Sequence, residues 1–116
     1  MSIQTIAVVA GNTAPTTPIS CQRNNVAIDL TGVQAVYVIV SSKQTGLVTN
    51  TGHQVAVVSG APTAGNIVYS QQAADFPVAG TYICDVAVDY GAGKHEVLLD
   101  QLKVKARAPI QPYPWN

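Results

Sequence analysis

Between Thr81 and Asp89 the side chains alternate: Tyr82, Cys84, Val86 and Val88 fall on one side of an extended chain, and Thr81, Ile83, Asp85, Ala87 and Asp89 on the other. A period of two marks a strand with one buried face. Tyr90-Gly91-Ala92-Gly93-Lys94 then reads as a glycine-rich hairpin loop, and His95 to Ala106 as a long returning strand,. From Ala35 to Val40 both alternating sets can lie against protein, which predicts a central strand covered on both faces,. Shorter strands are predicted at Ile19 to Arg23, Val26 to Ile28, Gln54 to Val58 and Ile67 to Gln71, with a weak one at Leu47 to Thr51. Turns separate them at Asn24-Asn25, Asp29 to Gly32 and Thr51 to His53; Ser59 to Asn66 is a strong break, and Gln72 to Val78 holds one helical turn,. Ile3 to Val9 is a first strand or an arm, and Gly11 to Pro18 is a Pro/Thr-rich connection after which pairing resumes near Ile19,.

No helical period occurs, and some seven strands at short intervals are what an all-β sandwich requires. The expected organisation is an N-terminal arm or strand and linker at 1–18, one β-sandwich at 19–106, and a C-terminal tail at 107–116. The length of 116 residues suits one core,.

Charged residues make up only 10% of the chain, against about 25% in an average soluble domain,. Six basic residues balance six acidic ones, and they are scattered. That excludes the electrostatic footprint of a nucleic-acid or anionic-membrane binder. A neutral surface also lacks the repulsion that keeps small proteins apart, so a homo-oligomer or a multi-copy assembly is expected. The start of the chain lacks the basic residues and long apolar run of a signal peptide, and no stretch reaches the length of a membrane-spanning helix, so the chain is read as soluble,.

Three local patterns together resemble the immunoglobulin-like domain at the N-terminus of phage baseplate upper proteins and related small virion proteins. They are Asp29-Leu30-Thr31-Gly32 before a strand, Ala79-Gly80-Thr81-Tyr82 opening a hairpin, and Tyr90-Gly91-Ala92-Gly93-Lys94 closing it. The resemblance covers about Ile19 to Ala106. It implies an immunoglobulin-like antiparallel sandwich and a non-enzymatic structural role in a phage tail or baseplate or on the capsid surface. Its partners would be other virion proteins, and its location the virion, assembled in the bacterial cytoplasm. It carries over no functional residues.

By their own chemistry the motif residues are structural. Asp29 can bond the backbone two residues on, and Gly32 can take a positive φ. Tyr82 stands two residues before Cys84, the spacing of a tyrosine corner, so its hydroxyl is expected to tie the Asp75 to Gly80 loop to the strand,. Val78 departs from the Asp of antibody-type domains, and no core Trp lies between the cysteines. Gly80, Gly91 and Gly93 serve turns. Cys21 and Cys84 could form the inter-sheet disulfide of such a sandwich or stay as buried thiols, which a reducing cytoplasm favours.

No constellation for catalysis, cofactor or metal stands out. His95, nearest in sequence to Cys84, is as readily placed on the exposed face, and no third orienting group is recognisable. His53 and His95 belong to no ligand cluster. Asp85, Asp89, Asp100 and Glu96 could gather on one sheet face, with Lys94 and Lys103 near enough to pair with them, as a charged outer surface. A carbohydrate- or receptor-binding module attaching to a host surface glycan is the competing reading; it needs grouped aromatics, and Tyr37, Tyr69 and Tyr90 do not obviously group.

The tail holds Ile110, Tyr113 and Trp115 among Pro109, Pro112 and Pro114, a stiff apolar strip too short for its own core,. Docking on a neighbour is favoured over folding back, since aromatics dominate binding hot spots. Ser2 to Ala10 could complete a sheet edge in its own subunit or in another.

Overall fold

The structure, a computed structural model, describes residues 4–10, 16–72 and 74–108. Among them nine strands form: β1 Gln4–Val9, β2 Thr16–Ser20, β3 Gln22–Arg23, β4 Val26–Ala27, β5 Ala35–Ser42, β6 Val55–Val58, β7 Asn66–Ser70, β8 Gly80–Gly91 and β9 Lys94–Arg107. The one helical element among the described residues is a 3-10 turn at Pro62–Ala64, inside what the sequence marks only as a break. The fold is all-β.

Seven strands make one sheet in the order β1-β9-β8-β5-β6-β7-β2, and β3 and β4 form a small separate ribbon. β6 joins what would otherwise be two sheets. Its first half pairs with β5, Val55 opposite Tyr37 and Ala56 opposite Val36, while Val57 and Val58 pair with Val68 and Ile67 of β7. The sheet therefore curls at β6 into a half-barrel around a single core. The expectation of a purely antiparallel sheet is corrected at β1, which runs parallel to β9 from Gln4 opposite Leu102 to Val9 opposite Arg107. Gln4–Val9 is thus a sheet strand rather than a free arm, held there by Ile6 and Val8 packing on the core.

The alternation in β8 meets the core as its periodicity requires. Tyr82, Cys84, Val86 and Val88 are buried beside Val36, Val38 and Val40 of β5 and Leu98, Leu102 and Val104 of β9. Ile19, Ile67, Tyr69 and Phe76 close the other side, and the Phe76 ring meets that of Tyr82 edge-on at 5.2 Å. Each fully buried aliphatic side chain contributes about 1.5–3 kcal/mol. β5 is central, between β8 and β6, but its other face is not covered: Ala35, Tyr37, Ile39 and Ser41 are only half-buried.

Three local corrections have physical causes. Pairing resumes at Thr16, not Ile19, because β2 is an edge strand and tolerates Pro18 opposite Val68,. The weak strand at Leu47 to Thr51 shrinks to one bridge, Ser41 to Val48. In its place the side chain of Asn50 serves β5: its Oδ1 accepts the Val40 N–H at 3.0 Å and its Nδ2 donates to the Val38 carbonyl at 2.7 Å. A buried amide thus satisfies ladder groups that a strand would otherwise meet. Finally, β9 is not continuous in register. Cys84 faces Leu102 but Val86 faces Leu98, and the intervening Asp100 adopts φ 54° with its N–H bonded to Asp85 Oδ1.

The turns follow their residues. Ala92 and Gly93 have φ 53° and 77°, as a two-residue type I′ hairpin demands, and Asn24-Asn25 closes β3 to β4 with φ 53° and 65°,.

Candidate functional site

The densest polar arrangement lies under the loop between β7 and β8. Asp75 is 0% exposed, yet every partner it needs is near. Its Oδ2 accepts the Tyr69 hydroxyl at 2.8 Å and the Gln72 N–H at 2.8 Å, and its Oδ1 lies 2.5 Å from His53 Nε2. Asn50, also 0% exposed, donates to the Tyr69 oxygen at 3.1 Å, and Thr49 Oγ1 donates to the Asp75 carbonyl at 2.7 Å. Burial, together with the adjacent Asp75 charge, pushes the Tyr69 phenol well above its ordinary range. The sequence reading placed Asp75 in a helical turn without a role. The available signal was a carboxylate set beside Phe76 and Pro77, an apolar context that demands partners.

Neither cysteine belongs to this network. Both cysteines are free and buried, and burial raises each thiol to about 12, the reverse of what a reactive cysteine requires,. His95 is exposed and sits 3.7 Å from Asp89, whose Oδ1 also accepts the Gly91 N–H. Among the described residues no group of His, Cys, Asp and Glu could hold a metal ion, and no helix is long and apolar enough to cross a membrane.

Of the residues singled out in the motifs, Gly32 and Gly93 lie in turns, Asp29 precedes one, and Gly80, Tyr82 and Gly91 belong to β8. Asp29 Oδ1 accepts both the Thr31 N–H at 2.9 Å and the Thr31 hydroxyl at 2.6 Å, which holds its carboxyl below the usual range. Gly32, with φ 74°, follows. The Tyr82 hydroxyl donates to the Val78 carbonyl at 2.8 Å and pins the loop ahead of β8. Gly80, Gly91 and Gly93 all take positive φ.

The acidic residues do not gather as expected. Glu96 faces Val88 in register, so it points to the inner side, where Arg23 of β3 forms a two-pronged pair with it and the Tyr90 hydroxyl donates to it at 2.9 Å. The guanidinium holds the Glu96 carboxyl below its ordinary range. Neither Lys94 nor Lys103 makes an ion pair among the described residues, where the pairs are Arg23–Glu96, His53–Asp75 and His95–Asp89. Asp85 and Asp100 do share a shallow depression of about 540 Å³ with Lys43 and Lys103.

An apolar row crosses the middle of the same outer face. Register places Val97, Ala87, Tyr37 and Val55 in one row across β9, β8, β5 and β6. Val55 and Val97 are 66% and 57% exposed, with Val57 and Leu99 beside them at 68% and 64%. Tyr37, Tyr69 and Tyr90 do not group: Tyr69 is in the core, Tyr90 packs against it, and Tyr37 stands on the outer face in this row. The tail residues Ile110, Tyr113 and Trp115 lie outside the described residues, as do residues 1–3 and 11–15 of the N-terminal segment. Comparisons with protein-family models, with curated proteins and with solved structures return no match.

Proposed function

We propose that this chain is a non-enzymatic structural module of a phage virion, an immunoglobulin-like domain that docks on other subunits of the tail, the baseplate or the capsid surface. The observation that carries the docking role is the apolar row Val97, Ala87, Tyr37 and Val55, half-buried at Ala87 and Tyr37 and exposed at its two ends, where Leu99 and Val57 widen it. Contiguous exposed apolar side chains on one face mark an interaction surface, whereas scattered ones need no explanation. Two features support the immunoglobulin-like part. The neighbours β5-β8-β9 and β2-β7-β6 stand to one another as strands C-F-G and B-E-D do in that sandwich,. The Tyr82 to Val78 bond has the form of a tyrosine corner,. The motifs Asp29 to Gly32 and Ala79 to Tyr82 support the virion part through their resemblance alone.

The test is mass spectrometry of purified particles from a phage that encodes the chain. The expected result is the protein at a stoichiometric copy number, reduced when Val55 and Val97 are both changed to Lys in a variant that still folds. Its absence from particles would overturn the proposal, and specific binding on a glycan array would favour a receptor-binding module.

A further inference from the structure

β1 and β2 are the two ends of the curled sheet, and they border a common groove of about 420 Å³. Ile6 and Val8 line it from β1, Thr16 and Thr17 from β2, and Arg107 stands at one end. Ile6 and Val8 pack on the core here yet are only partly buried. The seam is open.

The two edges differ in what they can accept. β2 carries Pro18, which has no N–H for a further strand,. β1 contains no proline and, among the described residues, is paired on one side only, with β9. Its other side presents backbone donors and acceptors next to an apolar groove, the setting in which an added strand binds.

One segment of the chain matches that edge in its residue order. Along an extended chain successive N–H groups point to opposite sides, and the side chains alternate as well. In the stretch from Ile110 to Asn116, Pro112 and Pro114 share one parity while Gln111, Tyr113 and Trp115 share the other. Laid along a strand, the second set can direct its N–H groups to that strand with both aromatic rings on one face. The opposite side, blocked by the prolines, accepts nothing more, so the addition stops at one strand.

Reach decides whose β1 is used. Three links separate Arg107 from Ile110, at most roughly 10 Å of extended chain. Crossing β1 to its free side takes two strand spacings, roughly 9.6 Å. The path also passes Ala10, whose N–H is bonded to the Arg107 carbonyl. That leaves no residue for the reversal of direction.

We infer that the groove between β1 and β2 takes residues 110–116 of a second copy of this chain, added as a strand to the free edge of β1 with Tyr113 and Trp115 over Ile6 and Val8. This deepens the docking role by making one partner another copy. It is tested on the purified chain alone, so its failure leaves particle incorporation untouched.

Trp115 is the only tryptophan and reports its own surroundings. In the full chain its fluorescence should shift to the red on dilution, in step with loss of the oligomer by light scattering. Emission that does not change with concentration, whether that of a buried or of a solvated ring, would overturn the proposal. As a second measurement, two full-length variants, Val8→Cys and Tyr113→Cys, whose side chains the inferred pairing puts on one face, are mixed under oxidising conditions,. A disulfide-linked heterodimer is expected; only uncrosslinked chains, or homodimers alone, would also overturn it.

Discussion

His53 Nε2 lies 2.5 Å from Oδ1 of Asp75, a carboxylate with no exposed surface, and the imidazole keeps its other edge toward solvent. The pair joins the Thr51 to His53 turn to the loop ahead of β8, and Tyr69 extends it into the core through its 2.8 Å bond to Oδ2. A buried carboxylate is tolerated only while its partners remain.

The two partners should therefore differ in cost. Asp75→Ala leaves the Gln72 N–H without its acceptor and the Tyr69 hydroxyl with only the His53 carbonyl at 3.2 Å, and should destabilise by about 3 kcal/mol,. His53→Gln, at a site water can enter, should cost less. Urea unfolding midpoints check the order, and an equal or larger loss for His53→Gln would refute the network reading.

Gly65 is a position that cannot take a side chain. Its φ is 72°, and a Cβ there would stand 2.7 Å from the Cys21 carbonyl oxygen and 2.9 Å from that of Ile28. Gly65→Ala should cost more than about 2 kcal/mol, because backbone must move as well as adopt a left-handed conformation. Gly60→Ala is the control: its φ is 70° but a Cβ meets nothing within 4 Å, so only the conformational part, about 1 kcal/mol, should appear,. Thermal unfolding of the two variants separates strain from collision.

Ala92 occupies the first place of the β8–β9 turn with φ 53°, a conformation that alanine disfavours. Asn-Gly is the preferred pair in such turns. Ala92→Asn should stabilise by roughly 0.5–1 kcal/mol, seen as a melting temperature a few degrees higher.

The buried thiols set the alkaline limit of stability. Cys21 and Cys84 are raised from 9.0 to about 12 by burial, so between those values the folded state keeps protons that the unfolded state has released. A raised folded pKa gives stability that is whole below pH 9 and lost as pH climbs toward 12, with a slope near 1.4 kcal/mol per pH unit for each thiol. Urea unfolding from pH 8 to 10 should show this decline, and Cys21→Ala with Cys84→Ala should flatten it there; above pH 10 the raised Tyr69 phenol adds a decline of its own,. At neutral pH neither thiol should react with an alkylating reagent until the chain unfolds.

How much was legible before the structure depended on the range of the signal. The alternation from Thr81 to Asp89, the Ala92-Gly93 turn, the Asp29 to Gly32 turn and the Tyr82 tie are written in residues close together in the chain. Asp75 was read only as part of a turn, because its partners His53 and Tyr69 come from other elements and share no spacing with it. Local pattern leaves Glu96 able to share a face with Asp85, Asp89 and Asp100, because carboxylates in one strand look alike until Arg23 arrives from β3.

Local residue order is enough to establish that the chain is all-β, where its longest hairpin bends, and which side of β8 enters the core, since steric period and turn chemistry act within a few residues. Long-range packing is what sets β1 parallel to β9, splits the pairing of β6 so that the sheet curls, and slips the register around Asp100. Each of those choices depends on which distant strand offers free backbone groups and uncovered apolar surface, and no local periodicity encodes that.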